Sequence, residues 1–328
     1  MKIRKLFWVI ACTLIILSTA VQASSKGTFT LEEVLSPPYP SHLVSAKNAD
    51  RIAWVFHSKG ERNIWTAAAP DFKPVNLTGF VRDEVFEIPC QIFLPKGAKK
   101  GSKLPGVVYT HGGPVRQMLL GWHYMGSYFY AYAFNQHSAN HGYVVLSVNY
   151  RSGIGYGRSF RNAPDTGRQG VSEYQDILAG AEYLQSRPEV DPERIGKWGL
   201  SYGGLLTAMA LARNSDIFKV GVDMAGVHDW SMLRRRGPDE SWSKLARDSS
   251  PIASLETWKS PVLLIHGDND RNVPFQQTTD LVQKLRAKED VYFELMIVPD
   301  EPHVFLLYKN RMECYKRAFE FIDRFIGK

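Results

Sequence analysis

The chain has 328 residues, a formal net charge of +7 and three cysteines. Lys2, Arg4 and Lys5 supply part of that charge from an N-terminal leader, and the mild excess that remains implies no nucleic-acid partner. No Cys/His spacing of a zinc site and no H-E-x-x-H occurs, so neither a metal nor an organic cofactor is implied.

Residues 1–23 read as a cleavable secretory signal: Met1-Lys2-Ile3-Arg4-Lys5, the apolar stretch Leu6 to Leu17, then Val21-Gln22-Ala23-Ser24 with small residues for a signal peptidase. That apolar core is shorter than the roughly 18 to 20 residues that span a bilayer. No later segment is a spanning candidate, so the expectation is a secreted or periplasmic protein, off the membrane once the signal is removed. Cys12 leaves with the signal. Cys90 and Cys314 are then either one disulfide or two separate buried thiols.

Residues 24–80 form a short β segment. Arg51 to Phe56 and Asn63 to Ala68 alternate as strands around Ser58-Lys59-Gly60-Glu61-Arg62, a hairpin too small to have its own core. Residues 81–328 alternate β-branched and amphipathic runs, which predicts one α/β domain with a mostly parallel sheet covered by helices. The expected strands are Gly106 to Thr110, Tyr143 to Asn149, Arg194 to Trp198, Val220 to Met224, Pro261 to His266 and Val291 to Val298. The expected helices are Val171 to Ser186, Gly204 to Asn214, Phe275 to Lys288 and Arg311 to Ile326. The aromatic run Trp122 to Phe134 reads as a buried helix or the base of a lid, and Arg234-Arg235-Arg236 as a solvated loop.

The decisive motif is Gly199-Leu200-Ser201-Tyr202-Gly203, between the Arg194 strand and a helical run. A strand-to-helix turn this tight needs glycines where a Cβ would clash and holds the serine strained, with its hydroxyl exposed. Downstream, in the order Ser, Asp, His of α/β-hydrolases, come Asp268-Asn269-Asp270 beyond one strand and Asp300-Glu301-Pro302-His303 beyond another. Ser201 is the expected nucleophile, His303 its general base and Asp270 the acid that fixes the imidazole tautomer; Asp268 and Asp300 are rivals for the last role. The N–H of Tyr202 is an expected oxyanion donor, joined by that of Gly113 after the Gly106 strand. His266, at a strand end, reads as a hydrogen-bonded structural imidazole, and Gly153-Ile154-Gly155-Tyr156-Gly157 as a flexible loop rather than a phosphate cradle.

His111-Gly112-Gly113-Pro114, Asn149-Tyr150-Arg151 with Tyr156-Gly157, the Ser201 elbow, His266-Gly267-Asp268-Asn269-Asp270-Arg271-Asn272-Val273 and His303 together resemble the prolyl oligopeptidase family of serine peptidases. The resemblance favours Asp270 as the acid. It also implies that Tyr156, Tyr202, Val227, Trp230 and Val273 line the pocket before the scissile bond, with Asn272 donating to a substrate carbonyl. Some relatives have a tyrosine hydroxyl at the place of His111, which either donates to the oxyanion or holds the loop. Phe29 to Leu35 with Arg51 to Val55 and Asn63 to Trp65 looks like the start of the family's β-propeller, yet Leu77-Thr78-Gly79 runs almost directly into Val85-Phe86-Glu87-Ile88-Pro89. Most of the propeller is missing. The resulting expectation is a serine peptidase acting on peptides through an acyl-enzyme. Its competitors are a carboxylesterase on the same triad and a catalytically silent, propeller-deleted remnant; a homo-oligomer is left open.

Overall fold

The computed structural model describes residues 39–58, 61–78, 88–233 and 240–327. The leader, the Phe29 to Leu35 segment, Arg234 to Arg236 and the junction 79–87 lie outside them. The chain divides into two units, Met1–Asp83 and Glu84–Lys328.

In the first unit four antiparallel strands pair in chain order, β1 (Tyr39–Ser45), β2 (Arg51–Ser58), β3 (Glu61–Ala68) and β4 (Val75–Asn76). The expected hairpin is β2 with β3. Their alternating side chains come into register with Trp54 opposite Trp65 and Val55 opposite Ile64, and the rings of Phe56 and Trp65 lie 5.5 Å apart. Two strands were not expected. β1 follows a proline-rich run and β4 is only two residues long, so neither carries a strand pattern of its own. The result is a four-stranded antiparallel meander.

The second unit holds a seven-stranded sheet in the order β11-β10-β9-β8-β6-β7-β5. It comprises β5 (Cys90–Phe93), β6 (Leu104–Thr110), β7 (Val144–Val148), β8 (Val190–Leu200), β9 (Phe218–Met224), β10 (Val262–Gly267) and β11 (Phe293–Val298). All neighbours are parallel except β5, which runs antiparallel to β7 at the edge. The longer helices are α1 (Gly126–Asn140), α2 (Glu173–Ser186), α3 (Tyr202–Arg213), α4 (Glu240–Asp248), α5 (Gln276–Lys288) and α6 (Tyr308–Ile326). Helix α1 contains much of the aromatic run, while α4 and the short β5 had no counterpart in the sequence reading.

Alternate residues of each strand enter opposite cores, which is why these strands read as continuous apolar runs. Val108, Leu264 and Val148 pack with α2, α3 and α5, whereas Val107, Tyr109, Leu263 and Ile265 pack with α1 and α6. Every residue of α3 from Tyr202 to Ala212 is buried. A helix apolar on all sides is stable only when enclosed, and α3 stays fixed behind the serine turn that opens it. Neither cysteine forms a disulfide: Cys314 is buried and Cys90 is exposed, so the two buried thiols of the sequence reading reduce to one. Among the described residues no helix is long and apolar enough to cross a membrane.

Candidate active site

Ser201 sits between the last residue of β8 and the first of α3 with φ 61° and ψ −119°, outside the ordinary basins for a residue with a Cβ. Its N–H donates to Met224 O at 2.8 Å and its carbonyl accepts from Leu205 N–H at 3.0 Å, so both chain directions of the turn are pinned. A Cβ at Gly199 would overlap the Gly203 carbonyl, and one at Gly203 would overlap the Thr110 carbonyl of β6. The two glycines are therefore set by backbone meeting backbone.

The acid that meets His303 is Asp270. Its Oδ2 accepts from His303 Nδ1 at 2.6 Å, while Oδ1 accepts from the N–H groups of Asn272 and Val273 at 2.8 and 2.9 Å. Burial alone pushes the Asp270 carboxyl upward, but the hydrogen bonds from His266 and His303 and the charge of His303 outweigh it and hold the group well below the usual carboxylate range. Asp268 is exposed and its Oδ1 instead accepts from the N–H of Asp300 at 2.7 Å. That bond ties the β10 loop to the His303 loop.

Leu200, Met224, His303 and Phe305 bound a cavity of about 20 Å³, and Leu200 directly precedes Ser201. Among the described residues no hydrogen bond joins the Ser201 hydroxyl to His303. Such bonds are commonly loose in free hydrolases and tighten with substrate.

The turn after β6 closes the other side of the serine. A Cβ built on Gly112 would stand 3.2 Å from the Ser201 Cβ, so the glycine turn passes directly against the serine side chain. Gly113 is exposed with φ 133°. Neither its N–H nor that of Tyr202 has a partner within the described chain. His111 is fully buried, with its ring stacked 4.3 Å from that of Tyr150 and its Nδ1 2.7 Å from Gly112 O. Burial drives its pKa down to about 4. The Tyr150 hydroxyl donates to His111 O at 2.8 Å, so ring and backbone both anchor the loop.

The residues expected to line a substrate pocket make different contacts. Val227 and Val273 are buried in one apolar cluster with Tyr202, and Trp230 packs against it with its ring 6.1 Å from that of Tyr202. The Tyr156 hydroxyl accepts from Asn149 Nδ2 at 2.8 Å and its ring packs on Phe160. Asn272 is exposed, with its backbone N–H committed to Asp270.

Several supporting residues carried no sequence signal beyond being polar near a motif. Glu173, fully buried on α2, accepts from the hydroxyls of Tyr202 at 2.8 Å and Ser152 at 2.7 Å, which fixes the Tyr202 ring. Gln277 holds the strip before Trp230, its Oε1 accepting from the N–H groups of His228 and Asp229, both at 2.8 Å. Glu301 shapes the loop bearing His303 by accepting from Leu306 N, Leu307 N and Asn310 Nδ2 at 2.6, 3.0 and 2.7 Å. Burial raises its pKa, and these donors more than offset that rise, leaving it lowered. Beneath the elbow, the buried Lys197 donates to Thr110 Oγ1, Trp198 O and Thr207 Oγ1, and burial drives its pKa well below the usual lysine value.

A mostly parallel sheet with a positive-φ serine at a strand-to-helix elbow, and with an Asp–His pair beyond two neighbouring strands, defines an α/β-hydrolase. This chain belongs to the prolyl oligopeptidase family, whose profile matches residues 130–328. It is similar to human dipeptidyl peptidase 8, 31% identical over 244 residues that make up 71% of this chain and 26% of the relative. It is also similar to the rat acylamino-acid-releasing enzyme, 25% identical over 254 residues, 71% of this chain and 33% of the relative. The chain thus spans about a quarter to a third of the length of these curated relatives.

Among solved structures, a puromycin-hydrolyzing peptidase of Mycobacterium tuberculosis superposes with a TM-score of 0.64 at 21% identity, over 85% of this chain and 46% of the other. The uncomplexed acylaminoacyl peptidase of Pyrococcus horikoshii gives 0.62 at 22% identity, over 89% and 56%. At those identities the likeness is one of fold.

Proposed function

We propose that this protein is a serine peptidase that cleaves peptide bonds through an acyl-enzyme on Ser201, with His303 as general base and Asp270 as the acid. The observation that carries the reading is the 2.6 Å bond from His303 Nδ1 to a buried Asp270 whose other oxygen is filled by two backbone N–H groups. A carboxylate held this way fixes His303 as the Nδ1–H tautomer, so Nε2 carries the lone pair that takes the Ser201 proton.

Attack of Ser201 Oγ on the scissile carbonyl forms the Oγ–C bond and moves the π electrons onto the carbonyl oxygen. The N–H groups of Tyr202 and Gly113 receive that oxyanion. His303 then passes its proton to the leaving amine, the C–N bond breaks, and water repeats the sequence to release the acid. Tyr202, Val227, Trp230 and Val273 form the apolar wall that receives the side chain before the cut, with Glu173 and Gln277 bracing it. Membership in a peptidase family favours peptides over esters.

A fluorophosphonate probe tests the reading: labelling of the wild type that disappears in Ser201→Ala and His303→Ala is the expected result, followed by faster turnover of peptide anilides than of the uncatalysed reaction allows. Folded wild type that neither labels nor turns over peptides would make the silent-remnant reading correct, and turnover of esters alone the carboxylesterase one. The leader carries the further proposal of a secreted or periplasmic protein, tested by whether the exported chain begins at Ser24.

A further inference from the structure

His266 is fully buried at the end of β10, two residues before Asp268 and four before Asp270. Its Nε2 lies 3.0 Å from Asp270 Oδ2 and 3.1 Å from Val273 O, and its Nδ1 lies 2.7 Å from the Thr278 hydroxyl on α5. Both neighbours of Nε2 are pure acceptors when Asp270 is ionised, so Nε2 must carry a hydrogen; Thr278 can donate to Nδ1 and complete the ring. The oxygen that Asp270 turns to His303 therefore receives two imidazole N–H groups, one from each histidine.

We propose that His266 is a positioning residue for the reaction, holding Asp270 Oδ2 in the plane of the His303 ring and drawing off part of its charge. The inference rests on Asp270 being the acid of the triad. Without the second donor, Oδ2 keeps only its bond to the His303 ring that it has to orient, and the carboxylate can swing about the Oδ1 edge held by the two backbone N–H groups. The whole charge of Oδ2 then falls on His303, so the imidazolium form is favoured over the free base that must take the Ser201 proton.

Other ionisable groups nearby are differently engaged. Asp268 and Asp300 are exposed and tied to one another through Asp268 Oδ1 and the Asp300 N–H. Arg311 of α6 lines the cavity beside His303 with Nη1 committed to Phe305 O and Leu306 O. From α5 the groups facing His266 are the Thr278 hydroxyl and, by way of its N-terminal flank, the Phe275 ring, 5.5 Å away and nearly perpendicular.

The test compares His266→Gln, whose amide nitrogen reaches the place of Nε2, with His266→Asn, whose amide reaches only the place of Nδ1. The readouts are kcat and KM for a peptide anilide against pH, with melting temperature as a check on folding. For His266→Asn the expected result is a kcat about tenfold lower or more, KM within about twofold, and an acid limb of kcat/KM moved to higher pH. His266→Gln should recover part of both effects. Thr278→Val, which removes the partner of Nδ1 and weakens Nε2–H as a donor, should move the limb the same way by less, and it keeps the test intact if the Asn variant does not fold.

The positioning role is overturned by an unmoved acid limb in folded variants, or by Gln and Asn losing activity equally. If Ser201→Ala or Asp270→Asn leaves hydrolysis intact, the triad itself is misread and the proposal falls with it. That outcome is distinct, since it appears before His266 is touched.

Discussion

Asp270→Asn separates the two oxygens of this carboxylate by their partners. Oδ1 accepts from two backbone N–H groups, Asn272 and Val273, which only an oxygen can satisfy. The asparagine carbonyl must take that place, which puts its NH2 where Oδ2 stood, facing His303 Nδ1 and His266 Nε2. A donor now meets His303 Nδ1, the ring switches to the Nε2–H tautomer, and the nitrogen nearest Ser201 can no longer accept a proton. The loss expected from a wrong tautomer in an otherwise intact triad is about 10⁴ in kcat, or about 5 kcal/mol of transition-state stabilisation. Peptide anilide turnover and the rate of fluorophosphonate labelling measure it, with near-UV circular dichroism to show that the fold survives. Asp268→Asn and Asp300→Asn serve as controls and should change kcat by about twofold or less, because neither carboxylate reaches His303. A folded Asp270→Asn enzyme that kept a tenth of its activity would refute the assignment, and a large loss in Asp268→Asn would transfer it.

Three further predictions follow from close contacts and buried charge. Gly203→Ala places a methyl group on the Thr110 carbonyl, a backbone atom that cannot rotate away; the expected cost is about 3 kcal/mol with loss of probe labelling, and wild-type denaturation and labelling would disprove it. Asp270 and Glu301 both have carboxyl pKa values lowered on folding, so the stability they contribute is fully present above the unfolded carboxylate range and is lost as pH falls through it toward the folded values. The urea midpoint should fall below about pH 5, and less steeply in Glu301→Gln; equal slopes would count against the Glu301 loop anchor. Lys197 has its pKa lowered by burial, so its charging penalises the fold at all pH values below the unfolded lysine value, and the penalty is relieved only as pH rises. Since Thr110 and Thr207 hydroxyls can both donate to Gly203 O, Lys197→Met leaves them satisfied and should raise neutral-pH stability; a lower urea midpoint would show that the hydrogen bonds of the Lys197 amine hold the elbow.

What the sequence disclosed is what short-range sterics and periodicity encode. Gly199 and Gly203 flank Ser201 because backbones collide there, and the expected parallel strands emerged from β-branched runs buried on both faces. The choice between Asp268 and Asp270 was less accessible. Both follow β10, and only the fold shows one carboxylate turned to His303 and the other to the Asp300 N–H. Glu173 and Gln277 were opaque for a related reason. Glu173 serves Tyr202 from 29 residues away and Gln277 serves His228 from 49. A polar residue whose partner is distant in sequence looks the same as any other until both are buried together. The edge strands β1, β4 and β5 escaped because each is short or proline-flanked, and strand pairing supplies the order that their own residues do not.

The order of the sheet accounts for how these loops converge. Ser201 follows β8, the Gly112-Gly113 turn follows β6, Met224 ends β9 and holds the Ser201 N–H, Asp270 follows β10, and His303 follows β11. Those are five consecutive neighbours, β11-β10-β9-β8-β6, all parallel, so their carboxyl ends open on one edge of the sheet. Every hydrogen bond described for the proposed triad, its oxyanion turn and its supports is made between residues of the Glu84–Lys328 unit. Positioning of the proposed nucleophile, base and acid therefore depends on strand order within one unit.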